Sequence, residues 1–136
     1  TSLANLHPRI GAGVIGELPV EEPLESFLER IARYFRTDQL RYSVTPKTHV
    51  KSIAICGGAG AFLWSKARRA GADILITGEA KYNDYFDVAD SILLAVVGHY
   101  ESERCTVDLF HEIISSKHPT FALRNSETSI NPITYL

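Results

Sequence analysis

Methionine is absent from the 136-residue sequence, which begins at Thr1. The expectation from both features is a piece of a longer chain. Only two cysteines occur, Cys56 and Cys105, too few for the disulfide framework of a small secreted domain. The charged-then-apolar opening of a signal peptide is missing as well, so a reducing cytoplasm is the expected location. No apolar run approaches the ~20 residues of a membrane helix. Neither sign of charge is in excess: 14 basic residues face 16 acidic ones, leaving −2 and a pI near 6.2. That balance excludes the electrostatic footprint of a dedicated nucleic-acid binder. Internal repeats, low-complexity tracts and interdomain linkers are also lacking.

What is present is globular. Hydrophobic residues make up 45% and charged residues 22%, which excludes a disordered chain. A chain this long buries roughly two-thirds of its unfolded surface, enough for one core. Pro23 opens a helix whose stripe is Leu24, Phe27, Leu28, Ile31, Tyr34 and Phe35. Leu40 to Val44 reads as a short strand and Thr45-Pro46-Lys47 as a turn. From Val50 the pattern is regular. Strands are expected at 50–56, 72–77, 92–97 and 120–123. Helices are expected at 61–70, 81–89 and about 102–115, the last burying Val107, Phe110, Ile113 and Ile114. Asn131-Pro132 reads as a closing turn. This alternation predicts one α/β domain over residues 1–136, a layered sheet with parallel strands flanked by helices.

In such a sheet the loops after the strand ends share one edge, where ligands usually bind. Three loops meet that description: 57–60, 77–83 and 98–103. Gly57-Gly58-Ala59-Gly60 lies between a strand and a helix, so its amides either hold an anion or form a tight packing turn. Gly11-Ala-Gly-Val-Ile-Gly16 has the spacing of a dinucleotide loop but not its strand–loop–helix setting, and reads better as a glycine-rich strand or bend. His99 follows an apolar strand and a glycine, with Glu103 one helical turn on. Such a pair can grip zinc, manganese or iron, or it can simply cap and charge a helix start. Glu79 could reach the same edge, whereas Glu101 points away from Glu103. Asp84, Asp87 and Asp90 read as a solvated face, Cys56 as buried packing at a strand end, and Lys81, Tyr82 and Tyr85 as an amphipathic helix or contacts for an anionic or aromatic ligand. His7, His49, His111 and His118 read as structural or solvated.

The ordered set Gly11-x-Gly13-x-x-Gly16-Glu17-Leu18, Ala54-Ile55-Cys56-Gly57-Gly58-Ala59-Gly60, Gly71-Ala72-Asp73, Thr77-Gly78-Glu79-x-Lys81-Tyr82 and Gly98-His99-Tyr100-Glu101-Ser102-Glu103 resembles the C-terminal half of the Nif-three-like dinuclear-metal proteins, the GTP cyclohydrolase I type 2 homologues. The likeness runs from Ile10 to about Ile133. It implies a metal-dependent, hydrolase-like protein with two divalent metal ions per cleft, acting on a small, nucleotide-like substrate, or else a non-catalytic metal-binding regulatory or interaction module. His99 and Glu103 match the family's C-terminal metal ligands. A histidine pair and an aspartate of the N-terminal half, which this chain does not contain, would complete the set. One imidazole and one carboxylate fall short of the usual three or four protein ligands, so this chain alone is expected to bind metal weakly. The family pattern often has a histidine after Lys-Tyr, where this chain has Asn83, so no proton-transfer role carries over to that position. The resemblance also implies a ring-like homohexamer.

Overall fold

A computed structural model describes residues 11–128 and 130–135; the expectations for His7 and Ile10 lie outside them. Two compact units make up the chain, Thr1–Ser102 and Glu103–Leu136.

The first unit is built on a five-stranded sheet in the order β1-β3-β4-β5-β2. At its centre β3 (His49–Cys56), β4 (Ile74–Thr77) and β5 (Leu93–Val96) run parallel, Ile53 opposite Ile74 and Ile74 opposite Leu93. The Ile74–Thr77 and Leu93–Val96 runs are buried over their whole length, because both faces of these strands are covered. On one face α1 (Leu24–Phe35) sets Leu24, Phe27, Leu28 and Ile31 against Ile53, Ile74, Ile76, Leu93 and Ala95. On the other, Ala67 of α2 (Trp64–Arg69) and Val88, just past α3 (Tyr82–Asp87), cover Ala54, Leu75, Leu94 and Val96. The α/β architecture is therefore as expected.

The edges refine it. The outer strands β1 (Val14–Pro23) and β2 (Arg41–Tyr42) are antiparallel to their neighbours, so the sheet is mixed. Gly16 lies inside β1 opposite Ile53, which bears out the strand reading of the glycine-rich segment. The stripe of α1 is narrower than its spacing suggested. Phe35 packs against the core, but Tyr34 is exposed, its ring in a T-shaped contact with Phe35 at 5.2 Å between centroids.

Asp73 ties the starts of β3 and β4 together. One carboxylate oxygen accepts from Lys47 Nζ at 2.6 Å, and the other accepts the Lys51 and Ser52 amides at 2.9 Å each. Partial burial would raise the Asp73 pKa, but the Lys47 bond, the two amides and the Lys47 charge outweigh it and hold the carboxyl below its ordinary value. A depressed folded-state pKa adds stability above the unfolded pKa, roughly 4, that is lost as pH falls through the folded value. Asp73→Ala is expected to cost about 2 kcal/mol at pH 7. In urea unfolding, the gap to the unsubstituted chain should narrow steadily below pH ~4.

The second unit contains α5 (Cys105–Lys117). Here the expected buried stripe fails, since α5 has no buried residue and Val107, Phe110 and Ile113 are exposed. A unit below about 40 residues rarely builds a core by itself. The expected strand at 120–123 is also absent. Phe121 instead closes a turn on the His118 carbonyl at 3.0 Å. Beyond it Asn125 returns to α5, with its amide group on Asp108 at 3.1 Å and its oxygen 2.8 Å from His111 Nδ1. The Asn131-Pro132 turn forms as expected, the Ile133 amide bonding the Asn131 side chain at 3.1 Å. No helix among the described residues is long and apolar enough to cross a membrane.

Candidate metal-ligand edge

The loops after β3, β4 and β5 converge beyond the C-terminal ends of the parallel strands, and the Gly58 carbonyl is their hub. It accepts the Gly78 and Glu79 amides at 2.9 Å each and the Thr77 hydroxyl at 3.0 Å. Thr77, only 1% exposed, also accepts the Gly60 amide at 2.9 Å. Ser102 joins the third loop. Its Oγ accepts the Gly58 amide at 3.0 Å and donates to the His99 carbonyl at 2.8 Å. The Gly58 and Gly60 amides are thus spent on the protein itself and are not available to hold an anion.

Gly78 sits where these loops are tightest. A Cβ there would stand 2.5 Å from Ser102 Oγ and 2.9 Å from both the Gly58 carbonyl oxygen and His99 Cα. Only a residue without a side chain lets β4 and β5 deliver their loops this close together.

His99 begins the short helix α4 (His99–Glu103) and is half-buried. Its Nδ1 lies 2.8 Å from Glu79 Oε1. The structure therefore brings together three of the predicted features, the 57–60 loop, Glu79 and His99. Glu103 is exposed, closes α4 and opens the second unit. Gly98 has φ of +104°, and the Glu101 carboxylate occupies the space a Cβ would take there, so Glu101 folds back on its own loop. Cys56 is half-buried rather than buried. Asp84 does more than face solvent, accepting the Lys81 amide at 2.6 Å. His49 pairs with the neighbouring Thr48 hydroxyl at 3.0 Å, a structural role.

Tyr82 and Tyr85 line a groove of about 300 Å3 with Tyr42, Ser43, Val44 and Phe86. Burial raises the Tyr85 pKa, Arg41 opposing and Asp84 adding to it. Among the described residues no group of three or more His, Cys, Asp or Glu side chains gathers as a metal site. His99 and Glu103 offer the right donor types, an imidazole nitrogen and a carboxylate, for part of one.

Sequence reasoning missed Thr77 and Ser102. Thr77 carried a signal, a lone hydroxyl ending an otherwise apolar buried run, whereas Ser102 was hidden among polar neighbours. Thr77→Val keeps the shape but removes an acceptor from a buried amide. It is expected to cost about 1–2 kcal/mol, with hydrogen exchange at the Gly60 amide quickening more than at the β4 amides.

A model of the family described as Duf34/NIF3 (NGG1p interacting factor 3) matches residues 2–132. A GTP cyclohydrolase 1 type 2 homolog of Staphylococcus epidermidis is 27% identical over 96% of this chain and 37% of its own length. The Lactococcus lactis protein of the same name is 32% identical over 97% of this chain and 52% of its own. The chain thus spans between about a third and a half of these relatives. The crystal structure of Staphylococcus aureus protein SA1388 superposes with a TM-score of 0.78 at 24% identity, over 93% of this chain and 42% of that one. A Bacillus cereus protein related to NIF3 gives 0.74 at 22% identity, over 93% and 36%. At these identities the two structures establish the fold.

Proposed function

The chain belongs to the Duf34/NIF3 family, and we propose that it supplies part of the metal cleft of a hydrolase-like protein acting on a small, nucleotide-like substrate. One observation carries the reading: His99 stands just past the end of β5, at the edge where ligands meet an α/β sheet, with its Nδ1 engaged by Glu79 at 2.8 Å. His99 and Glu103 would hold a divalent metal, zinc, manganese or iron, through one imidazole nitrogen and one carboxylate. Two donors are a partial set, and the remaining ligands are assigned to residues outside these 136, consistent with relatives two to three times as long. A bound metal of this kind supplies a hydroxide near neutral pH by lowering the pKa of its water. This chain's own residues orient the ligands. The Gly58 hub fixes the loop ends, Ser102 holds the His99 backbone, and Glu79 holds its ring. The names of the curated relatives support a nucleotide-like substrate, the family resemblance supports two metals per cleft and a homohexameric ring, and the two lone cysteines support a reducing, cytoplasmic location.

The test is elemental analysis of the intact protein purified without chelators, followed by a hydrolysis screen on GTP and related nucleotides with and without added metal. Bound divalent metal with metal-dependent product formation is expected. Metal without turnover on any nucleotide would favour a regulatory metal-binding module, and absence of metal would overturn the reading.

A further inference from the structure

We infer that Glu79 is the positioning carboxylate of His99, its Oε1 accepting the Nδ1–H and holding the neutral ring in the tautomer whose lone pair lies on Nε2, the nitrogen that would then ligate a divalent cation. The inference rests on the reading of His99 as a metal ligand. Three features of the fold support it. The contact is short, 2.8 Å. Both residues leave adjacent parallel strands just past their paired ends, Thr77 opposite Val96. The backbone at each end is pinned, Glu79 by its amide on the Gly58 carbonyl at 2.9 Å and His99 by its carbonyl on Ser102 at 2.8 Å.

Chemistry supplies the consequence. Which imidazole nitrogen carries the proton is set by the hydrogen bond made by the other, and a carboxylate on the far nitrogen fixes a ligating ring and raises its basicity. The side chains are 42% and 55% exposed, so water competes for the bond. The expected effect on affinity therefore sits at the low end of such outer contacts, about tenfold. Glutamine at position 79 keeps an acceptor oxygen and loses the charge, whereas alanine loses both.

Two readouts test it. On the 15N-labelled, metal-free full chain near pH 8, long-range proton–nitrogen correlations report the His99 tautomer. Zn2+ titration of the intact protein against a competing chelator reports affinity. The expectation is an Nδ1–H ring in the unsubstituted protein and in Glu79→Gln, with a shift towards Nε2–H in Glu79→Ala. Zinc affinity should fall about tenfold in Glu79→Ala and by less in Glu79→Gln. An unchanged tautomer in Glu79→Ala overturns the positioning role. So does an equal loss of affinity in both variants with the tautomer intact, which would make Glu79 a ligand itself. Failure of the unsubstituted protein to bind zinc overturns the functional reading instead, and the tautomer measurement tells the two failures apart.

Discussion

Gly78→Ala is expected to lower stability by about 3 kcal/mol and to disturb the His99 loop in the same stroke. Two of the three atoms a Cβ would meet are backbone, the Gly58 carbonyl oxygen and His99 Cα, both at 2.9 Å. A flexible side chain could swing aside, but these atoms cannot move without breaking bonds elsewhere. Displacing Gly58 strains the bonds from Thr77, Gly78 and Glu79 to its carbonyl. Displacing His99 pulls on its bond from Ser102. Gly16→Ala is the matched control. It also adds a methyl group to a glycine of the same sheet, but nothing lies within 4 Å of the new atom, so stability should change by less than about 1 kcal/mol. Urea unfolding of both variants checks the pair. Equal midpoints would mean that the loop packing relaxes freely and does not constrain His99.

The central sheet was legible because its strands are nearly continuous apolar runs, each followed by glycine and a helix. Ile74–Thr77 and Leu93–Val96 could hardly be anything else, and their order in the chain dictated the crossovers. The edges were harder. β1 carries Gly16, Pro19 and three glutamates, Glu17, Glu21 and Glu22, so no two-residue alternation shows through. β2 is only two residues long, below the length at which periodicity exists. The buried stripe expected on α5 failed for one reason. Apolar spacing in 107–114 predicts a buried face only if something covers it, and a sequence pattern cannot say whether a covering partner is present in the same unit. The site was legible at the level of residue types. Fold logic gathered Glu79, His99 and the 57–60 loop at one edge, but the direct bond between Glu79 and His99 is a matter of side-chain direction across two strands. The Thr77 and Ser102 hydroxyls were missed because hydroxyls give no periodic signal.

The metal reading stands on His99 and Glu103, and its loss should be the largest functional effect of any substitution proposed. Both residues belong to a short helix with no buried residue, so neither His99→Ala nor Glu103→Gln opens a core cavity. Stability without metal should change by less than about 1 kcal/mol. On the proposed reading a bound metal would lose a ligand bond that water replaces poorly, whereas Glu101→Gln keeps the shape and leaves both proposed ligands in place. Glu101 lies two positions from Glu103, off its helical face. The decisive measurement is zinc stoichiometry, by elemental analysis after dialysis, on the intact protein and these three variants, with urea unfolding as the check on folding. The account predicts zinc retained in the unsubstituted protein and Glu101→Gln, and lost from His99→Ala and Glu103→Gln with the fold intact. Full zinc retention by His99→Ala and Glu103→Gln, or loss from Glu101→Gln as complete as from Glu103→Gln, would contradict it.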